Sequence, residues 1–536
     1  MRSTENKRRA FLKQAGIALP GAAFFSQAAS SGAQDSRRTG PSTVYDVRTF
    51  GAVGDGKTID TAAINRSIDE AAAAGGGTVY LPAGNYLCYS IHLKSKVALY
   101  LDQGTTIVAA DPAPDAAKSY DPAESNKPWE DYQDYGHNHW HNSLIWGEGL
   151  SDDSIVGPGL IWGKGLSRGW GAGPTAENPG VANKAIALKN CRNVILRDFS
   201  ILHGGHFGIL ATGVDNLTID NLKIDTNRDG MDIDCCRNVR VSNCSVNSPW
   251  DDAICLKSSF ALGFARATEM VTITNCMVAG SYQEGTLLDG TWKKFPPEEK
   301  VPRTGRIKFG TESNGGFKNI TVSDCVFDGC RGLAIESVDG AVVEDVTCTN
   351  ITMRDVYEAP IFLRLGARMR GPAGASVGVM RRVVLSGITC AQAQSSPKIA
   401  CILAGIPEHP IEDVKVSDVI LVTRGSGTKD DAEVKVPEKE KQYPEPNMFG
   451  TTPAHGFFVK HVRGLEMQGV KIEAAKPDAR PTFVMEDVQD ATFGRLKVPF
   501  TGAVPAFVLH QVKDISVFRS KPVPDTEVVA AENKEI

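Results

Sequence analysis

Asn193-Val-Ile-Leu-Arg-Asp-Phe-Ser-Ile201, Asn216-Leu-Thr-Ile-Asp-Asn-Leu-Lys-Ile224 and Asn238-Val-Arg-Val-Ser-Asn-Cys-Ser-Val246 are three copies of one nine-residue pattern. Apolar residues fill its second, fourth, seventh and ninth positions, and the sixth is nearly always Asn, Asp or Gly. The pattern restarts at Met270, Asn319, Asp345, Arg382, Asp413, Gly464 and Asp490. Alternation with a period of two marks strands, and the polar or glycine sixth residue marks a turn between two short ones. Successive starts lie 23, 22, 32, 49, 26, 37, 31, 51 and 26 residues apart. A basal unit of about 22–26 residues with intermittent insertions is the signature of a solenoid, its rungs stacked about 4.8 Å apart. With no helical period between the strands, an all-β fold is expected: a single parallel β-helix over residues 45–520.

The repeat overrides the domain count that length alone gives. A chain of 536 residues carries a prior of three or four domains, and the repeat replaces these with one elongated body. The composition, 42% hydrophobic and 23% charged, is that of a folded protein. A formal charge of −5 excludes a general electrostatic binder of nucleic acid. The twelve Cys include no C-x-x-C pair, so zinc is unsupported. Cys244, Cys276 and Cys325 share the seventh position of the repeat and read as a small inward-facing stack.

Residues 1–33 resemble a twin-arginine export signal: Lys7-Arg8-Arg9-Ala10-Phe11-Leu12-Lys13 precedes an Ala-rich apolar stretch. The expectation is a periplasmic or extracellular protein handled by the twin-arginine machinery, with a linker at 34–44. No later apolar run reaches about 18 residues, so no membrane helix is expected. Without residues 1–33 the charge falls to about −9.

Thr61 to Ala74, after Asp60, carries apolar residues at Ile64, Ile68, Ala71 and Ala72, which predicts a short amphipathic helix capping the first rung, with Asp60 as its N-cap. Residues 111–142 and 263–306 interrupt the repeat and are expected to wall a cleft. Arg424 to Asn447 and the tail 521–536 read as solvated or mobile chain.

Acids gather on two neighbouring rungs. Asp229 lies thirteen residues past Asn216 and Asp251 thirteen past Asn238, which predicts a column, with Asp252, Asp232 and Asp234 close by. Stacked carboxylates repel, so a purely structural solenoid would seldom place them together, and their pKa values should split into an acid and ionised neighbours. Two plainer readings are turn chemistry and a calcium site. Adjacent Asp251 and Asp252 should point to opposite faces of a strand, and both reach a cleft only if the backbone bends after Pro249. His206, thirteen past Asn193, is placed directly below Asp229. His137, His139 and His141 alternate around Trp140, where sugar stacking or loop packing is expected over a metal clip. The Arg group 364, 368, 370, 381 and 382 reads as a solvated flank or an anion-binding face.

Asn227-Arg228-Asp229-Gly-Met-Asp-Ile, followed by Trp250-Asp251-Asp252-Ala-Ile-Cys-Leu-Lys257, resembles the Asn-x-Asp and paired-Asp motifs of glycoside hydrolase family 28, the polygalacturonases and their relatives. Val47 to Gly84 is similar to the opening segment of pectate-lyase-superfamily proteins. Gly157 to Gly165 and Gly310 to Ile320 match further rungs, so the likeness covers roughly residues 45–370. The resemblance implies a right-handed parallel β-helix that hydrolyses glycosidic bonds of a pectic or related polysaccharide with inversion. By position Asp251 resembles the general acid, Asp229 and Asp252 the pair that activates water, and Lys257 a residue that contacts substrate or tunes the acids. No metal or organic cofactor is implied. Inverting chemistry in general calls for carboxyls about 6.5–9.5 Å apart with a water between them.

The chain departs from that pattern. Where polygalacturonases carry His-Gly it has Gly305-Arg306-Ile307-Lys308, and where they carry Arg-Ile-Lys it has Ala334-Ile335-Glu336. Glu336 is expected to repel a galacturonate carboxylate, with Arg306 and Lys308 either supplying replacement charge or solvated. Asp232 and His206 complete the expected substrate-binding set. Two other classes remain open on this fold: a polysaccharide lyase or epimerase, which needs a Lys or Arg base, and a non-catalytic glycan-binding β-helix.

Overall fold

The computed structural model describes residues 43–169, 177–499 and 503–536. The expected export signal and most of the linker lie outside them, and the first strand, Val44–Asp46, already begins at the end of the expected linker. Among the described residues no helix is long and apolar enough to cross a membrane.

Among the described residues thirty-five strands pair into one continuous system. Through the central rungs each turn of the solenoid contributes three strands. In one rung these are Phe207–Thr212, Asp215–Asp220 and Lys223–Asp225; in the next they are Asp229–Asp234, Arg237–Ser242 and Ser245–Asn247. Like strands of successive rungs pair in parallel, Leu217 with Val239 and Ile224 with Val246. The nine-residue repeat covers the second and third strands of each rung, and the first strand carries the site described below.

The repeat is built on backbone conformation as much as on hydrophobicity. Its first residue has positive φ in all ten copies, from Asn193 at 56° to Asp490 at 53°, and so does its sixth, from Asp198 at 74° to Arg495 at 53°. Asn and Asp tolerate the left-handed region better than other side chains, and Gly enters it freely. The two left-handed residues bend the chain and aim the remaining positions alternately inward: Val194, Leu196, Phe199 and Ile201 are fully buried, as are their counterparts Leu217, Ile219, Leu222 and Ile224. All twelve cysteines are buried and unpaired, including the stack at 244, 276 and 325.

The capping helix runs Thr61–Ala73 and buries Ile64, Ile68 and Ala71 against the first rung. Asp60 stands at its N-cap position, but the carboxylate does not cap the helix; it accepts from the Val53 and Gly54 amides at 2.7 and 3.0 Å, tying the helix to the preceding loop.

Two segments expected to be solvated are built into the fold. Residues 424–447 form a strap across the later rungs: Val436, Met448 and Phe449 pack with Phe362, Ile402 and Phe458 in a second apolar cluster outside the solenoid. The tail forms the strand Thr526–Glu535, antiparallel to Phe507–Phe518, which covers the last open edge. Its polar composition suits a strand with one face in water. The stretch 263–306 is not wholly an insertion either, since Thr268–Thr274 and Met277–Ala279 continue the rungs and the excursion starts after Ala279.

Candidate active site

The acids meet because one rung is one residue longer than the rung below it. Asp225 pairs with Asn247, an offset of 22, whereas Met231 pairs with Ile254, an offset of 23. The extra residue lies in the bend after Ser248, at Pro249-Trp250-Asp251. The bend is braced by the Thr304 amide on Pro249 O at 3.1 Å and the Gly305 amide on Asp251 O at 2.9 Å. It breaks strand alternation, so Asp251 and Asp252 both reach the site. Gly230 permits the close rung contact here, since a Cβ on it would lie 2.4 Å from Ala253 O.

The register corrects the expected column. Continuing the Met231–Ile254 pairing back two residues sets Asp252, not Asp251, over Asp229, and Phe207 rather than His206 pairs with Asp229 below. One carboxylate oxygen from each of Asp229, Asp251 and Asp252 lies within 4.8 Å of the others. These are nearest-oxygen separations rather than the roughly 6.5–9.5 Å between whole carboxyl groups, and they leave two such oxygens within reach of one shared water. The three could hold a metal by spacing alone, but Arg228, Arg306 and Lys308 already engage the oxygens of Asp251 and Asp252.

Strand alternation places those cations. In Ile307–Ser313, Ile307 and Phe309 point into the core while Lys308, and Arg306 just before it, face outward. Arg306 Nε donates to Asp252 Oδ1 at 2.7 Å, and Lys308 Nζ lies 3.5 Å from Asp252 Oδ2. Burial pushes the Asp252 carboxyl up, but Arg306 and Lys308 outweigh it and hold the group at about 2. Asp229 moves the other way, well above the ordinary carboxylate range, through burial and the charges of Asp232 and Asp251. Asp251 is raised as well, by burial and by Asp252, although Arg228 NH2 sits 3.0 Å from its Oδ2. The three carboxyls are thus split as expected: Asp252 is held down, while Asp229 and Asp251 are pushed up. Asp251, with 28% of its side chain exposed, is the most open of the three to solvent.

Most of the residues expected to contact substrate are buried and paired with internal partners. Asp232 is fully buried, held by His137 Nε2 at 2.8 Å. Lys257 Nζ lies 3.1 Å from Glu312 and 3.8 Å from Asp232. Arg306 and Lys308 are 1–2% exposed and bound to carboxylates. Glu336 is also fully buried, 3.6 Å from Lys308, and burial lifts its carboxyl to about 8. His206 remains half-buried, stacked on Phe207 at 4.2 Å, and burial and Arg228 push its imidazole well below the ordinary histidine range. His137, His139 and His141 go to separate partners, namely Asp232, Tyr135 and Trp146, rather than to one centre.

The cleft walls come from all three interruptions. Residues 111–142 deliver His137 to Asp232, and Phe295 of the 263–306 stretch packs edge-on against Trp250 at 5.6 Å. The strap at 424–447, which sequence reasoning set aside, delivers Glu445 to Arg306 at 2.5 Å and Tyr443 to a position 5.4 Å from Lys308. Its clue was the spacing Tyr443-Pro-Glu445-Pro446, two prolines fixing an aromatic and an acid at the end of a charged run. Of the Arg group, Arg364 is buried against Phe449, Arg368 and Arg370 pair with Asp339 and Glu312 beside the site, and Arg381 and Arg382 pair with Glu344 and Asp345 on the flank.

The family model described as rhamnogalacturonase A/epimerase, pectate lyase-like, matches residues 44–135, and that of the right-handed β-helix region matches 175–296. A probable polygalacturonase of Vitis vinifera is 23% identical over 396 residues, 69% of this chain and 73% of that protein. The mannuronan C5-epimerase AlgE3 of Azotobacter vinelandii is 52% identical over 66 residues, 12% of this chain and 4% of that protein. In three dimensions, the Yersinia enterocolitica family 28 exopolygalacturonase superposes with a TM-score of 0.59 at 19% identity, over 84% of this chain and 78% of that one. Together with the rung geometry, these matches show a right-handed parallel β-helix whose fold is similar to that of polygalacturonases.

Proposed function

We propose that the protein is an exported glycoside hydrolase that cleaves pectic or related polysaccharide through Asp251 and Asp252. The observation that carries this reading is the division of charge at the bend: adjacent carboxyls, one pinned in its ionised form by Arg306 and Lys308, the other raised and open to solvent. Asp252 takes a proton from water as the water oxygen bonds to the anomeric carbon. Asp251 gives its proton to the leaving oxygen as the glycosidic bond breaks, and the proton gained by Asp252 returns to Asp251 before the next turnover. Asp229, with an oxygen within 4.8 Å of one from each of the others, helps to orient the water. No cofactor enters these steps.

The lyase and epimerase reading needs a Lys or Arg base. Burial disfavours charge on Lys257 and Lys308, but Cys255, Glu312 and Asp232 around the first and Glu336, Tyr443 and Asp252 around the second outweigh it and hold both well above the ordinary lysine range, which favours hydrolysis over a base role for these two lysines. The twin-arginine-like leader supports a site of action outside the cytoplasm. The test is product analysis on a panel of pectic fragments: new reducing ends without unsaturated sugars are expected. Unsaturated ends would establish a lyase, and no turnover of any glycan would leave a binding protein.

A further inference from the structure

The strap at 424–447 brings a carboxylate into the place where an acidic substrate would need cations. Glu445 Oε1 lies 2.5 Å from Arg306 NH2 and 3.5 Å from Lys308 Nζ, and its Oε2 lies 3.5 Å from Arg331 NH1. Two of these cations also hold Asp252. The position of Glu445 is set by packing, because the turn Pro446–Phe449 that follows it buries Met448 and Phe449, with Phe449 6.4 Å from Phe362 ring to ring. Arg331 has Glu358 as a second partner at 3.4 Å. The remaining cations nearest the acids, Arg228 and Lys257, are paired with Asp251 and Glu312. Each of these five cations thus has an internal carboxylate partner. A uronate carboxylate entering beside Asp252 would meet Glu445 and gain no unpaired positive charge, losing its hydration without compensation.

A neutral sugar finds a better surface there. Tyr443, two residues before Glu445, leaves 48% of itself exposed. Lys308 and Arg368 lie 5.4 and 5.7 Å from its ring centre. A ring fixed in this way offers an apolar face for the C–H face of a sugar.

We propose that Glu445 is a specificity-determining residue: it fills the cationic cage beside Asp252 with the protein's own carboxylate, so that the sugar unit bound against Tyr443 and Asp252 is uncharged. The proposal rests on the hydrolase reading above, and its test separates the two. The full-length protein is assayed on oligogalacturonides and on the same oligomers after carboxyl reduction, which differ only at the charged group. The wild type is expected to favour the reduced oligomers at least tenfold in kcat/KM, and Glu445→Gln to narrow or reverse that ratio by at least tenfold at unchanged folding, read by circular dichroism. A wild type that prefers the uronate form, or a ratio that Glu445→Gln leaves unmoved, would overturn the role of Glu445 while leaving hydrolysis intact. If neither oligomer is turned over, the hydrolase reading fails on these substrates, and calorimetric titration of the same pair decides the specificity claim: tighter binding of the reduced oligomer supports it, tighter binding of the uronate overturns it.

Discussion

Arg306 and Asp252 form a buried ion pair, Nε to Oδ1 at 2.7 Å, with neither side chain more than 4% exposed. Lys308 approaches the other oxygen of Asp252. These cations hold the Asp252 carboxyl down at about 2, and its neighbours carry the consequence, since each further negative charge beside it is disfavoured.

Replacing Arg306 by Met removes the cation and keeps an apolar stem. Asp252 should then titrate higher, moving the acidic limb of the kcat/KM profile up by at least about one pH unit and lowering the maximum on the order of 100-fold. Removing one partner of a buried pair should also cost about 3–5 kcal/mol of stability, visible as a lower Tm. An acidic limb that stays in place would uncouple Arg306 from the base.

Asp251→Asn should lower turnover by about 10³-fold or more while leaving Tm nearly unchanged, because the carboxyl is partly exposed and its backbone bend is held by main-chain hydrogen bonds. Retained activity would move the acid role to Asp229.

Asp153 gives a stability prediction far from the site. It is buried in the solenoid with neither oxygen hydrogen-bonded, and burial lifts its carboxyl to about 7 from an ordinary 3.8. The folded form therefore binds its proton more tightly than the unfolded chain, and the associated stability is complete below about pH 4 and lost as pH rises through 7. Asp153→Asn should raise Tm at pH 8 and have little effect at pH 4. Equal effects at both, read by differential scanning calorimetry, would contradict the assignment.

Glu336→Lys restores the charge that polygalacturonases carry at this rung. Because Glu336 is fully buried beside Lys308, the substitution should bury two ammonium groups against each other and destabilise the fold by about 3 kcal/mol or more, without improving activity on polygalacturonan. A stable variant with a lowered KM for that polymer would show Glu336 to face a subsite after all.

Much of the fold was legible because a solenoid repeats its instructions: Asn193, Asn216 and Asn238 announce a left-handed bend each time, and Val194 to Ile201 a two-strand inward pattern. The triad was legible in composition but not in register, since the one-residue excess at Pro249-Trp250-Asp251 becomes visible only when Asp225–Asn247 and Met231–Ile254 are paired in space. The surroundings of Arg306, Lys308 and Glu336 were hidden for a related reason. Outward-facing strand residues look solvated until something covers them, and the cover, Tyr443 and Glu445, arrives from more than a hundred residues away in a charged segment resembling free chain. The antiparallel tail at Thr526–Glu535 was missed likewise, because an edge strand with one wet face lacks a strong hydrophobic signature.

The most direct test of the central claim is to run a single turnover in ¹⁸O-labelled water and read the first product by proton NMR and mass spectrometry. If Asp252 activates water while Asp251 protonates the leaving oxygen, the label enters at the anomeric carbon and the new reducing end appears with inverted configuration. Retained configuration would require a covalent carboxylate intermediate, and an unsaturated, unlabelled product would require elimination; either result would contradict the assignment of Asp252 as the base.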